Sequence, residues 1–249
     1  MGVVYLVGAG PGATDLLTVR AARLLERADI VFHDALINPE TLRIAARAIL
    51  VPVGKRSGRY ATAQRFINKQ LADAARRHRV VVRLKGGDPM LFGRAHEEIS
   101  FLKREKIRVE VVPGVTAALA AAAELGISLT QRLVARSVVF ATPRTAEGAR
   151  PSGWEKAIAN ADTAVLYMAA GEAQEVKAAL IGAGVSRQTP VVLVENATLE
   201  SAAAHAGTLA QLPQLAARLS GGPALILLGE VCAEFAVSSL VSPKVLTTR

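Results

Sequence analysis

Cysteine is nearly absent from this chain, since Cys232 is the only one among 249 residues. It has no partner for an intramolecular disulfide, so a reducing compartment is expected, and its neighbours Val231 and Ala233 mark it as a small apolar filler rather than a redox group. Aromatic residues are scarce as well, with one Trp, three Tyr and six Phe. No basic run is interleaved with aromatics of the kind that stack nucleobases, which argues against a nucleic-acid partner. Long apolar runs are missing too: none reaches the ~20 residues of a membrane span. Met1 to Gly10 carries no basic stretch ahead of an apolar core, so no membrane partner is expected and the chain is read as cytoplasmic. Acidic residues are outnumbered, 21 against 30 Lys and Arg, for a formal charge of +9. That surplus favours an anionic partner, and on charge alone phosphate, polycarboxylate and nucleic acid all qualify.

What is present is an apolar, globular composition. With 51% hydrophobic and 20% charged residues the chain can bury a substantial core, as one large domain or two of ordinary size. In the first half, short β-rich runs alternate with helical patterns, as in successive βαβ units around a parallel sheet. The predicted strands are Val3 to Gly8, Ile30 to His33, Leu50 to Val53, Val80 to Leu84 and Val109 to Val112. Between them the pattern predicts helices over Thr14 to Arg27, with Leu16, Leu17, Leu24 and Leu25 on one face, and over Thr62 to Arg77. Beyond Gly126, strands are predicted at Ser137 to Ala141, Thr163 to Met168, Val191 to Val194 and Ala224 to Gly229. Helices are expected there near Trp154 to Asn160, Glu172 to Ile181 and Leu212 to Leu219, with a loop over Thr142 to Gly153. A boundary near Leu119 separates a domain of residues 1–118 from one of residues 119–249.

The unusual residues of the first half cluster just after the predicted strands. Gly8-Ala9-Gly10-Pro11-Gly12 follows the first, Asp34 the second, Gly54-Lys55-Arg56 the third, Gly86-Gly87-Asp88-Pro89 the fourth and Pro113 to Ala117 the fifth. In an open parallel sheet all five emerge at the carboxyl edge, where such folds bind ligands. Gly8-x-Gly10-x-x-Ala13 matches the dinucleotide fingerprint, although Pro11 removes one N–H donor and the acid wanted ~20 positions on is either Asp29 or Asp34. A tight strand-to-helix turn explains the same glycines. Paired Gly86 and Gly87 permit positive φ and close backbone approach, and Asp88 suits either an α-ammonium group or a helix cap.

Five strings carry a resemblance: VYLVGAGPG from Val4, VGKRSGR around Lys55, VVRLKGGDPMLFGRAHEE from Val81, EVVPGVTAALAAAAELGISLTQR from Glu110 and VLVENAT from Val192. Together they resemble the uroporphyrinogen-III C-methyltransferases of the tetrapyrrole methylase superfamily, over nearly the whole chain from Val3 to about Val231. The resemblance implies two α/β domains with a cofactor cleft between them, the first a mainly parallel sheet flanked by helices and the second a mixed sheet with helices. It implies methylation of uroporphyrinogen III at C-2 and C-7, giving precorrin-2, with S-adenosylmethionine as donor, S-adenosylhomocysteine as product, no metal and a homodimeric assembly.

Carried over by motif, the cofactor contacts are Pro11, Gly86, Gly87, Asp88, Leu91, Thr116, Ala117, Met168 and Ala197. Leu91, Met168 and Ala197 would look ordinary in any core. Asp34 matches the family's proton acceptor and Lys55 its proton donor; simple ion pairing with a substrate carboxylate explains Lys55 equally well. Arg94, Glu97 and Arg132 fall where the family places substrate-facing groups, whereas Arg76, Arg77 and Arg79 read as a solvated face. A pyrrole carbon of a porphyrinogen is an enamine-like nucleophile and a sulfonium methyl is a good electrophile, so the transfer needs alignment and no metal. A carboxylate nearby stabilises the cation formed and takes the proton lost later. Three segments depart from the family pattern: Gln131 stands for a histidine, Ala141-Thr-Pro-Arg for Thr-Gly-His, and Ala95-His96 for paired glycines. A later precorrin methyltransferase is the rival within the class, and a dinucleotide-dependent oxidoreductase or a charge-driven nucleic-acid binder are the rivals outside it.

Overall fold

The structure is a computed structural model that describes residues 1–53, 60–145 and 152–235. The chain divides into two compact units, Met1–Ala117 and Ala118–Arg249.

The first unit is built on five strands, β1 (Val3–Gly8), β2 (Ile30–His33), β3 (Ile49–Pro52), β4 (Val80–Lys85) and β5 (Arg108–Val112). They form one sheet in the order β3-β2-β4-β1-β5. Every pairing is parallel, with Tyr5 opposite Val82 and Phe32 opposite Arg83. Such a sheet is covered on both faces, and the period-two alternation of a strand sends successive residues to opposite sides. Val4, Leu6, Ile30, Phe32 and Val81 pack with Leu71, Ala75 and Leu102 from α3 (Tyr60–Arg77) and α4 (Ala95–Arg104). Val7, Val31, Val82 and Leu84 pack on the other side with Ala21, Leu24 and Leu25 of α1 (Val19–Glu26). Short α2 (Pro39–Arg43) starts at Asn38, whose Oδ1 accepts from Glu40 N, and has Pro at its first turn.

The predicted helix from Thr14 to Arg27 is broken. Thr14–Leu16 forms a single 3-10 turn, Leu17 is extended at φ −65° and ψ 141°, and α1 begins after Thr18. The reason is local chemistry, because Thr18 Oγ1 accepts from Ala21 N at 3.2 Å and so caps a new helix. Leu16 is therefore not on the apolar stripe, which consists of Ala21, Leu24 and Leu25.

The second unit contains α5 (Ala117–Leu125), whose first residue closes the first unit, and the strands β6 (Val138–Ala141), β7 (Thr163–Tyr167), β8 (Pro190–Glu195), β9 (Ala203–Thr208) and β10 (Ala224–Gly229). Their order is β6-β7-β10-β8-β9; β6 and β7 are parallel and the other pairs antiparallel, so the sheet is mixed. Ile158 of α6 (Trp154–Ala159), Val176 and Leu180 of α7 (Ala173–Gly182) and Leu212 and Leu215 of α8 (Leu212–Ala216) cover it with Leu166, Leu193 and Ile226. Strand β9 has no counterpart in the predicted elements. Its Ala-Ala-His-Ala-Gly-Thr composition has low strand propensity, and edge pairing with β8 overrides that preference. Helix α8 stops at Ala216, three residues short of the expected end.

Cys232 is fully buried, and burial, with Glu230 adding to it, pushes its thiol up to about 12. Thiolate forms only as the pH rises toward that value, and the thiolate is the reactive species. A thiol-disulfide reagent at pH 8 is therefore expected to leave native protein unlabelled and to label one thiol per chain after denaturation. Stoichiometric labelling of the native protein would contradict the burial.

Candidate functional site

Three of the carboxyl-edge loops of the first sheet are tied together through backbone. Gly10 and Gly87 exchange hydrogen bonds, Gly10 N to Gly87 O at 3.2 Å and Gly87 N to Gly10 O at 2.7 Å. Gly114 lies against both loops: a Cβ there would strike Gly87 O and stand 2.9 Å from Gly8 Cα. A Cβ on Gly8 would approach Gly114 Cα to 2.6 Å and Gly87 O to 2.7 Å. Gly8 and Gly114 are therefore glycine for packing, which is the turn explanation rather than the ligand one. Gly86 is different. It is exposed and a Cβ on it would meet nothing within 4 Å, so packing does not explain why it is glycine. That open backbone edge suits a ligand held by main-chain groups.

Asp88 serves the same architecture. Its Oδ1 accepts from Met90 N at 2.8 Å and its Oδ2 from Gly114 N at 2.9 Å, so it holds two loops and does not cap α4, which starts at Ala95. The second loop joins the first where Asn38 Nδ2 donates to Gly12 O at 3.0 Å. Pro11, Leu91 and Thr116 lie in these loops and Ala117 opens α5 directly after them; all four are partly exposed, and Leu91 is thus not a core residue. Asp29 is at the opposite end of the sheet, where its Oδ2 accepts from Arg79 N and Val80 N, both at 2.8 Å. It is not placed to meet a ribose at the carboxyl edge, which removes one of the two candidates for the single acid of the dinucleotide reading. Lys55, with Arg56 and Arg59, lies outside the described residues.

Asp34 follows β2, and its side chain is 34% exposed. Arg83 Nη2 donates to Asp34 Oδ1 at 2.5 Å. Arg83 is only 3% exposed and sits on the β4 face shared with Val81 and Lys85, the face toward α3 and α4. Its Nη1 donates to Leu84 O at 3.1 Å and Phe32 O at 3.5 Å, and its Nε to Glu98 Oε1 at 3.2 Å. Glu98, on α4, is entirely buried. Its Oε1 also accepts from Gln64 Nε2 and Lys85 Nζ, each at 3.1 Å, and its Oε2 from Lys85 Nζ at 3.2 Å. Burial, and after it the Arg83 guanidinium, holds the Lys85 ammonium below the usual lysine range, with Glu98 opposing. Removing one partner from such a buried set costs about 3–5 kcal/mol. Arg83, Lys85 and Glu98 are absent from the site residues expected from sequence. The available signal was a pair of cations, Arg83 and Lys85, inside an apolar strand run.

Arg94 and Glu97 face each other in a two-pronged pair, Nε to Oε1 at 2.6 Å and Nη2 to Oε2 at 2.7 Å. The Arg94 hydrogen bond holds the Glu97 carboxyl below its usual range. Phe92 and Arg94 both have positive φ, at 53° and 56°, a conformation that costs side-chain-bearing residues energy and recurs at ligand sites. In the second unit Met168 has φ 56° and is 44% exposed, so it is not a core methionine, while Ala197 is buried between Asn196 and Thr198, both also at positive φ. Arg132 is exposed beside Gln131, whose backbone N donates to Ala135 O at 2.9 Å. Arg76, expected on a solvated face, is half-exposed and pairs with Asp73 and Glu105. Among the described residues no group of three His, Cys, Asp or Glu side chains is placed to hold a metal ion, and no helix is long and apolar enough to cross a membrane.

Two α/β units, one of them with glycine loops and a carboxylate at the ends of parallel strands, define a protein of the small-ligand-binding α/β class. The comparisons narrow that class. The model of the tetrapyrrole (corrin/porphyrin) methylases matches residues 3–213, and the chain belongs to that family. It is 43% identical over 231 residues to the uroporphyrinogen-III C-methyltransferase of Pseudomonas aeruginosa, covering 92% of this chain and 94% of that one. A siroheme synthase of Chromobacterium violaceum is 47% identical over 232 residues, which are 92% of this chain and 49% of the relative. The chain thus spans about half the length of the siroheme synthases it matches. A crystal structure of uroporphyrin-III C-methyltransferase from Thermus thermophilus complexed with S-adenosylhomocysteine superposes with a TM-score of 0.83 at 38% identity, covering 94% of this chain and 100% of that one.

Proposed function

We propose that the chain is an S-adenosylmethionine-dependent C-methyltransferase that converts uroporphyrinogen III to precorrin-2 by methylating C-2 and C-7. The observation that carries this is the similarity to the Pseudomonas aeruginosa enzyme across nearly the full length of both chains. The first unit supports the same reading, because the open backbone at Gly86 lies beside loops that the Gly8, Gly87 and Gly114 contacts hold in place.

When bound, S-adenosylmethionine supplies an electrophilic methyl group. Pro11, Gly86, Gly87, Asp88, Leu91, Thr116 and Ala117 are its proposed contacts in the first unit, and Met168 and Ala197 in the second. The backbone groups of the loops orient it, and Asp88 acts by fixing their spacing. Asp34, held by Arg83, stabilises the cationic ring and accepts the proton lost after methylation. Lys55 is the proposed proton donor. Arg94 and Arg132 take substrate carboxylates, with Glu97 orienting the Arg94 fork. The excess positive charge of the chain suits such a polycarboxylate. We also propose a cytoplasmic location and a homodimeric state, the second of which sedimentation equilibrium of the purified chain tests.

Incubation with uroporphyrinogen III and methyl-labelled S-adenosylmethionine is expected to give a product carrying two added methyl groups by mass spectrometry. Absence of transfer would overturn the reading, and transfer only to an already methylated precorrin would assign the chain to a later step.

A further inference from the structure

We propose that Glu98 is a positioning residue for methyl transfer: from its buried place on α4 it fixes the Arg83 guanidinium, and Arg83 in turn fixes the Asp34 carboxylate. This rests on the reading of Asp34 as the proton acceptor.

The geometry is a chain of contacts from the interior to the sheet edge. Glu98 Oε1 gathers three donors, from Gln64, Arg83 and Lys85, and Gln64 Nε2 is itself shared with Asn68 Oδ1 at 3.0 Å. Arg83 uses all three of its nitrogens: Nε on Glu98, Nη1 on two main-chain carbonyls and Nη2 on Asp34. A planar fork bonded at every nitrogen has no rotational freedom left, so the position of Asp34 Oδ1 is inherited from Glu98.

Charge supports the same assignment. The cluster holds two cations, Arg83 and Lys85, and two anions, Glu98 and Asp34. Glu98 and the two cations are each less than 5% exposed, whereas Asp34 alone reaches the surface at the edge. Well-packed apolar side chains stabilise a core as well as buried ions do, or better. Stability alone therefore does not account for three buried charges, with buried Gln64 and Asn68 beside them, on a face whose other members include Val81, Leu71 and Leu102. Orientation of the one exposed member does account for them. Glu98 neutralises the inner cations, Lys85 balances Glu98, and the outermost donor of Arg83 is left to a partially exposed carboxylate.

A double-mutant cycle on the full chain tests this. Glu98→Gln, Asp34→Asn and the combined variant are first checked for cooperative thermal unfolding and for S-adenosylhomocysteine binding by calorimetry. We expect binding within about threefold of wild type for all three. Glu98→Gln is expected to lower kcat roughly 10–100-fold with KM values little changed, which is the signature of an interaction needed in the transition state. In the Asp34→Asn background the same change is expected to cost less than about twofold, because both substitutions act on one carboxylate. An equal loss in both backgrounds, or wild-type kcat in Glu98→Gln, would overturn the positioning role while leaving Asp34 in place. Wild-type kcat in Asp34→Asn would overturn the reading of Asp34 and the positioning role with it. Arg83→Lys keeps the charge but not the fork, and it carries the same cycle if Glu98→Gln does not fold.

Discussion

Asp34→Ala is expected to lower turnover by ~10²–10⁴-fold, the range associated with loss of a positioned acid or base, and to leave S-adenosylhomocysteine affinity nearly unchanged. The expectation follows from where Asp34 sits. It follows β2, its bonded partner is Arg83, and its carboxylate is partly open to solvent. None of its described contacts involves the glycine loops, which are held instead by Gly10, Gly87, Asp88 and Gly114. Steady-state kinetics with calorimetry on the same preparation separates the two effects. A parallel loss of cofactor binding would show that Asp34 shapes the glycine loops rather than the chemistry. Alanine also leaves the Arg83 Nη2 without its acceptor, so a modest drop in melting temperature accompanies the kinetic loss.

The second large effect sets two glycines against each other. Gly114→Val is expected to cost about 3 kcal/mol or more, at or beyond the upper end of what overpacking costs. Its Cβ collides with backbone, the Gly87 carbonyl and Gly8 Cα, neither of which can rotate aside. Gly86→Val is expected to change stability little, since nothing stands within 4 Å of its Cβ, and to weaken S-adenosylhomocysteine binding by about tenfold or more, equivalent to ~1.4 kcal/mol. Gly87 is less discriminating, because its φ of 63° strains any larger residue whatever the ligand does. Thermal melts and calorimetry of the two variants give the comparison. If Gly86→Val binds as tightly as wild type, the open edge at Gly86 is not a cofactor surface.

How much of this is legible in the sequence differs from element to element. Strands β1, β2 and β10 are readable to the residue, because a strand buried on both faces is a short unbroken apolar run with turn residues beyond it. The gathering of unusual residues at strand ends is readable too, since parallel connectivity sends every strand end to one edge. The break before α1 is less visible: Thr18 competes with the helical periodicity of its neighbours, and only its bond to Ala21 N shows which prevails. Strand β9 is invisible, because pairing with β8 rather than its own side chains makes it a strand. Glycine is equally visible in the sequence at Gly8, Gly86 and Gly114, yet packing demands it at two of them and leaves the third open.

The parallel sheet of the first unit, its loop-bearing edge and, through the motifs, the family can all be read from residue order alone. Those features depend on local patterns of a few residues. How Asp34 is held depends instead on packing between elements. Its supporting residues, Gln64, Arg83, Lys85 and Glu98, come from α3, β4 and α4 and are brought together by strand order and by the face each side chain takes. No spacing along the chain encodes that meeting, because contacts between elements are set by how the sheet and helices pack.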